Sequence, residues 1–316
     1  MSNELENNEQ ELISELSRQV KGVGSGIAYS IAEDFENEWL DFLKSDFTRL
    51  SLIIKSNKKR ILSDLQIEDL LKVKKEYSQY TDIDVAWIAY VGRDFLKRQI
   101  EMLESISFQN MDINPFLMKV LDLNTPQSIV EFNLYQTVTR SIVTSWGNAV
   151  EKLLIRCGAT KVDKKYDTGN RGKRPDIQKK NGDKLTLIQV KSGPNTMNVG
   201  MVESLNDVIQ DYNVKEPNVD FLLGMTYGTR DRISSQIRNN MKDFETKSLI
   251  GKEFWDFISG EKNFHKKIFS ILDTASEGLT TKTFSEHLQD RIEALIDDWS
   301  ISFKNMKVEE VLEKFI

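Results

Sequence analysis

Apolar positions recur at helical spacing through the first third of the chain. Ile27, Ile31, Phe35, Trp39, Phe42, Phe47 and Leu50 follow one another at intervals of three to five residues, which predicts an amphipathic helix, or a broken pair of helices, across residues 27–50. Asp64 to Tyr80 repeats the pattern. Val85, Ile88, Val91, Phe95, Ile100 and Leu103 line one side of a longer helix over 82–106. Asn114-Pro115 breaks that run, and Phe116, Leu117, Val120 and Leu121 begin a short packed helix. Residues 1–20 are polar and read as frayed or loosely helical. A further stripe, Val138, Ile142, Trp146, Val150, Leu153, Leu154 and Cys157, predicts a helix over 128–157 with one side buried against a sheet.

The period then shortens from helix to strand. Asn181-Gly182 is a two-residue hairpin signal, because both residues tolerate the positive φ of a type I′ turn, and it predicts antiparallel strands over 174–180 and 184–191. Met201–Tyr212 has Val202, Leu205, Val208 and Ile209 at helical spacing, and Val219–Tyr227 is a nearly continuous apolar run of strand length, read as a central buried strand. A hairpin, a helix and a strand returning to one sheet make a mixed α/β core. Residues 249–258 and 264–272 complete it. Thr283 and Glu286 form a capping box opening a last helix, whose apolar face of Phe284, Leu288, Ile292, Leu295, Ile296 and Trp299 must be covered by the N-terminal helices or a second protomer. The expected class is α/β: a mixed central sheet flanked by helices in 111–275, with helical additions at 1–110 and 276–316. No repeat of fixed period breaks this plan.

The hairpin carries the candidate chemistry. With Asn181-Gly182 as the turn, residues whose numbers sum to 363 face each other, which sets Asp176 opposite Leu187 and Arg174 opposite Gln189. Side chains alternate along a strand, so Leu187, Gln189 and Lys191 share the face of Asp176, while Ile188 and Val190 point into a core. An aspartate, an amide and a lysine on one surface suit phosphodiester hydrolysis. That reaction needs a hard cation held by one or two carboxylates, for which Asp176 and the Val190 carbonyl are candidate ligands, and Lys191 as a point charge to hold the attacking water. Taken alone, the hairpin reads equally as a surface element with solvated charges.

Charge sharpens this picture. The 316 residues carry a net charge of −6, so no global basic field marks a nucleic-acid binder. Between Lys161 and Lys191, however, ten basic residues face four acidic ones, a local balance of +6, as a cleft for a polyanion requires. The single cysteine, Cys157, excludes an internal disulfide and lies on the apolar stripe of its helix, where it reads as a core residue. The two histidines, His265 and His287, have no Cys or Asp partner at ligand spacing, which argues against a zinc site or a Ser-His-Asp triad. No apolar run approaches the roughly 18 residues of a membrane span, and the N-terminus is acidic where a signal peptide is basic. The expectation is a cytoplasmic protein with no membrane association.

Pro175-Asp176, twelve residues, then Gln189-Val190-Lys191 resembles the PD-(D/E)xK signature of restriction-endonuclease-like nucleases, with Gln in the acidic slot. The wider pattern is similar to the branch of type II restriction endonucleases that cut interrupted GGNCC-like sites. It runs through Asp112-Ile113-Asn114-Pro115-Phe116-Leu117, Gly147-Asn148-Ala149-Val150-Glu151-Lys152-Leu153, the hairpin, Val190-Lys191-Ser192-Gly193-Pro194-Asn195 and Gly251-Lys252-Glu253-Phe254-Trp255. The resemblance implies a restriction-endonuclease-like fold and Mg²⁺-dependent cleavage of double-stranded DNA. It also implies a homodimer and a companion DNA methyltransferase acting on the same site. It implies that Asp176 and Lys191 are catalytic, that a glutamate from the 128–157 helix reaches the metal, and that Gln189 departs from an acidic ligand. Glu151 reads either as the second carboxylate that Gln189 cannot be, or as a surface partner of Arg156 or Lys152. Arg171, Lys173, Arg174, Ser192, Asn195 and Asn198 are candidate DNA contacts. Arg230, Arg232, Gln236 and Arg238, just after the 219–227 strand, read as base readers, as phosphate contacts or as neither. Two alternatives stay open: a structure-specific or repair nuclease of the same superfamily, and a catalytically silent DNA-binding module.

Overall fold

The computed structural model describes residues 2–36, 38–54, 59–166, 174–215 and 218–316. Its contacts divide the chain into two compact units, Met1–Ala89 and Tyr90–Ile316. The boundary falls inside the helix Ile83–Ser105, so residues 90–110 and 276–316 group with the sheet.

The first unit is helical, with helices Ser2–Arg18, Ser25–Asp34, Trp39–Lys44, Phe47–Ser51 and Asp64–Tyr77. The amphipathic stretch 27–50 is thus broken into three pieces, with Glu36 at φ 52° between the first two. The polar N-terminus, expected to be frayed or loosely helical, is a helix with a packed side. Leu12, Ile13 and Leu16 are fully buried, an apolar stripe of one turn hidden among glutamates and asparagines.

The second unit is built on a four-stranded sheet of β1 (Ile177–Asn181), β2 (Lys184–Lys191), β3 (Val219–Met225) and β4 (Ser248–Ile250), in that order. β1 and β2 are antiparallel, while β2, β3 and β4 run parallel. A crossover helix, Val199–Lys215, joins β2 to β3 and covers one face of the sheet. Val202, Leu205, Val208 and Ile209 meet Leu187, Phe221, Leu223 and Met225 there. On the other face Ile188 is equally buried, and Phe254 of the helix Lys252–Ser259 packs directly on Gly224. The core is therefore two-sided, and Leu187 lies under a helix where an open face was expected.

The helix Pro126–Arg156, opened by Thr125 with Ser128 as its capping partner, has two jobs. Ile129, Val130, Leu134 and Val138 in its first half pack with Ile292, Leu295 and Trp299 of the helix Phe284–Ser302. The apolar face of that C-terminal helix is thus covered chiefly by this long helix, within the same unit; the Thr283–Glu286 capping box is present. In the second half Ala149, Val150, Leu153 and Leu154 are buried. Just beyond it, Thr160 N–H donates to Gln178 O (2.8 Å), and Gln178 N–H donates back to Thr160 O (2.9 Å). Lys179 Nζ donates to Gly158 O at 2.9 Å. These bonds lock the end of the long helix to the strand that begins beside Asp176.

Candidate active site

The hairpin register differs from expectation by two. Asn181 pairs with Lys184 and Ile177 with Ile188, so partners sum to 365 and the turn is Gly182-Asp183. Gly182 supplies the positive φ, 59°, at the first turn position. Carried one step past β1, the pairing sets Asp176 opposite Gln189. A shift of two keeps side-chain parity, so Asp176, Gln189 and Lys191 still share a face.

Asp176 stands one residue ahead of β1, where the ladder ends. Its N–H donates to Ile188 O (2.9 Å), and its Oδ2 accepts the Val190 N–H at 2.6 Å. The carboxylate is thereby fixed against the second strand, with Oδ1 as the oxygen that could take a cation. Burial pushes the Asp176 carboxyl above the usual carboxylate range; the Val190 N–H and the charges of Lys191 and Arg174 oppose this without cancelling it. Glu151 approaches from the second half of the long helix. Although much of its residue surface is in solvent, dehydration around its carboxyl raises it too, and the negative charge of Asp176 adds to the rise while Arg174 and Lys191 offset part of it.

Lys191 and Arg174 act on both carboxyls and Asp176 acts on Glu151, which joins the four in one electrostatic cluster. Gln189 is buried at 5 % exposure, two residues before Lys191 on the same face. Two carboxylates that burial holds above their ordinary range, the charge of Asp176 adding to the rise of Glu151, with an amide and the Val190 carbonyl nearby, suit a hard divalent cation that keeps part of its water shell. Among the described residues no group of three or more His, Cys, Asp or Glu forms a fuller metal cage.

The remaining candidates fall into three groups. Arg171 and Lys173 lie outside the described residues. Arg174, Asn195, Arg232 and Gln236 are exposed. Ser192, Asn198, Arg230 and Arg238 make hydrogen bonds within the chain. Asn198 Oδ1 accepts the Met201 N–H at the start of the crossover helix (3.0 Å). The Ser192 carbonyl accepts from Thr226 Oγ1 (2.9 Å). Arg230 binds Glu253 (2.8 Å), Glu245 (3.2 Å) and Ser248 (2.9 Å to its carbonyl). Arg238 donates to the carbonyls of Arg230, Asp231 and Ile233 at 2.7–3.1 Å. Arg230 and Arg238 thus brace the segment after β3. Sequence reading passed over Thr226 and gave Trp255 no task. Trp255 Nε1 donates to Thr226 O (2.8 Å), tying the helix Lys252–Ser259 to the strand ends at the site. The signal available for that tie was the Gly251–Trp255 block itself.

Among the described residues no helix is long and apolar enough to cross a membrane. No curated protein matches the chain. The family model of the type II restriction endonuclease EcoO109I matches residues 84–278, more than half of the sequence, and spans the long helix, the hairpin and every strand. The chain belongs to the type II restriction endonuclease EcoO109I family.

Proposed function

We propose that this protein is a sequence-specific type II restriction endonuclease, hydrolysing both strands of DNA in a Mg²⁺-dependent reaction at a GGNCC-like palindrome to leave 5′-phosphate and 3′-hydroxyl ends. Family membership supports a nuclease acting on DNA. The observation that carries the finer reading is the crowding of Asp176 and Glu151 beside Lys191 and Arg174. Bound there, Mg²⁺ supplies polarisation of the phosphoryl oxygen and a lower pKa for a water molecule.

The chain's own residues do the rest. Asp176, pinned by the Val190 N–H, and Glu151 would hold the cation, and the Val190 carbonyl would be a further ligand. Gln189 would complete or orient that ligand set without adding charge. Lys191 holds the attacking water and offsets the charge that builds on the phosphoryl oxygens. Arg174 takes the neighbouring phosphate, with Arg171, Lys173, Ser192, Asn195 and Asn198 along the same strand. Arg232 and Gln236 are the exposed groups available to bases beyond it. A homodimer matches a palindrome by symmetry, each protomer cutting one strand. A companion methyltransferase acting on the same sequence, and a cytoplasmic location, belong to the same reading.

Purified protein with Mg²⁺ and phage DNA tests it, with the fragment ends sequenced. Discrete fragments sharing one short interrupted palindrome are expected. A smear turns the reading toward a structure-specific or repair nuclease. No cleavage, with no Asp176-dependent heat on titrating Ca²⁺, turns it toward a silent DNA-binding module.

A further inference from the structure

Tyr227 lies two residues past the buried end of β3, yet it is 56 % exposed. A large ring left in solvent is usually loosely held. This one has a built seat. It lies across Gly193, two residues beyond Lys191, where a Cβ would run into Cζ and Oη and come within 2.6 Å of Cε1; only glycine admits the ring there.

The backbone on both sides of the seat is tied down. Thr226 N–H donates to Lys191 O (3.2 Å) and Thr226 Oγ1 to Ser192 O (2.9 Å). Ser234 N–H donates to Pro194 O at 3.2 Å. Gly228 packs on the Pro194 ring, and Gly251 on the Gly228 carbonyl. The ends of β2, β3 and β4 thus interlock beneath an exposed phenol. Among the described residues its hydroxyl takes no hydrogen-bond partner.

An aromatic ring packed on main chain beside the proposed catalytic lysine, with its polar tip unused, is equipped for a ligand. We infer that Tyr227 is a DNA-positioning residue, its hydroxyl donating to a phosphate next to the linkage held at Asp176, Glu151 and Lys191. This rests on the function proposed above. A phosphate is favoured over a base because backbone contacts set the register of a strand, and tyrosine hydroxyls are among their usual donors. Gly193 serves the contact indirectly, by admitting the ring.

The test uses the full-length protein and the duplex that its own digest identifies. Binding is followed in Ca²⁺ across a salt series, and single-turnover cleavage in Mg²⁺. Tyr227→Phe, which keeps the ring and its seat, weakens binding about ten-fold. It leaves the slope of log Kd on log salt unchanged, because a neutral hydroxyl releases no counterion. Gly193→Ala, which displaces the ring, weakens binding at least as much. A Phe variant that binds and cuts as the wild type does overturns the inference, whatever Tyr227→Ala does, since the ring alone is then the contribution. A wild type that neither binds nor cuts duplex DNA overturns the proposed function as well; a cutting wild type with an unaffected Phe variant overturns only the role of Tyr227.

Discussion

The two ends of the sheet use charge in opposite ways. Where β3 starts, Asp220 accepts from Lys247 at 2.6 Å and pairs with Lys184 at 3.3 Å. Burial pushes its carboxyl up, but the two lysines together outweigh burial and hold it below the ordinary range. Where β2 ends, burial wins. Asp176 and Glu151 are both held above the ordinary range despite Lys191 and Arg174 beside them. One end has matched its charges within the chain and is finished. The other keeps two carboxylates partly stripped of water, a cost that a cation from outside can relieve.

The largest effect should separate these two aspartates. On the proposed mechanism Asp176→Ala lowers cleavage by roughly three orders of magnitude or more while leaving affinity in Ca²⁺ near that of the wild type, and Lys191→Ala behaves similarly. Asp220→Asn should cut at close to the wild-type rate but cost about 1 kcal/mol or more of stability, because it leaves Lys247 half-buried beside a neutral partner. Plasmid cleavage and urea unfolding measure the two quantities. Equal loss of cleavage from both aspartates breaks the comparison.

The next effect is in stability, and its sign differs between the ends. Carboxyls raised in the folded state bind protons more tightly there than in the unfolded chain, so their contribution to stability falls as pH rises from the ordinary carboxylate range through their raised values. Without metal, Asp176→Asn should therefore raise Tm at neutral pH, whereas Asp220→Asn lowers it. Ca²⁺ should stabilise the wild type at neutral pH by on the order of 2–3 kcal/mol at a hundredfold excess over its Kd. That gain should vanish in acid, where the pair is protonated, and in Asp176→Asn. Thermal melts with and without Ca²⁺ decide it, and an undiminished gain in Asp176→Asn removes Asp176 from the cation site. Gln189→Glu adds a third acid to the same crowd. It should keep or increase cleavage, tighten the cation and lower the metal-free Tm; complete inactivation assigns Gln189 to DNA or water instead.

Strand alternation made the site face legible even though the turn was misplaced. Sums of 363 and 365 differ by two residues, and a two-residue slip returns every side chain to its face. The cover over Leu187 was not legible, because a strand with both faces buried has no open side to recognise and its helix comes later in the chain. Glu151 has no local signal tying it to Asp176; the bonds that bring its helix to β1 join Thr160 and Gln178, which are distant in sequence. The ties of Arg230 to Glu245 and Glu253 were not legible, because those partners lie on two later helices. β4 has three residues, too few for a period to show.

The smallest effect concerns Gly147, one turn before Glu151 on the long helix. A glycine inside a helix costs about 1 kcal/mol relative to alanine, and cost of this kind is commonly justified by a close neighbour. Here a Cβ would meet nothing within 4 Å. Packing within the chain therefore does not require the glycine, and Gly147→Ala should raise Tm by about 2–4 °C. If the space beside Glu151 is kept for a DNA strand, the same variant should bind its duplex in Ca²⁺ about threefold more weakly, equivalent to some 0.6 kcal/mol. Gain in stability with loss of affinity would place Gly147 at the charge-strained end of the sheet, where function rather than packing sets the residue. Gain in stability with unchanged affinity would mean that nothing crosses this face of the helix, and that the substrate reaches Glu151 from the β2 side alone.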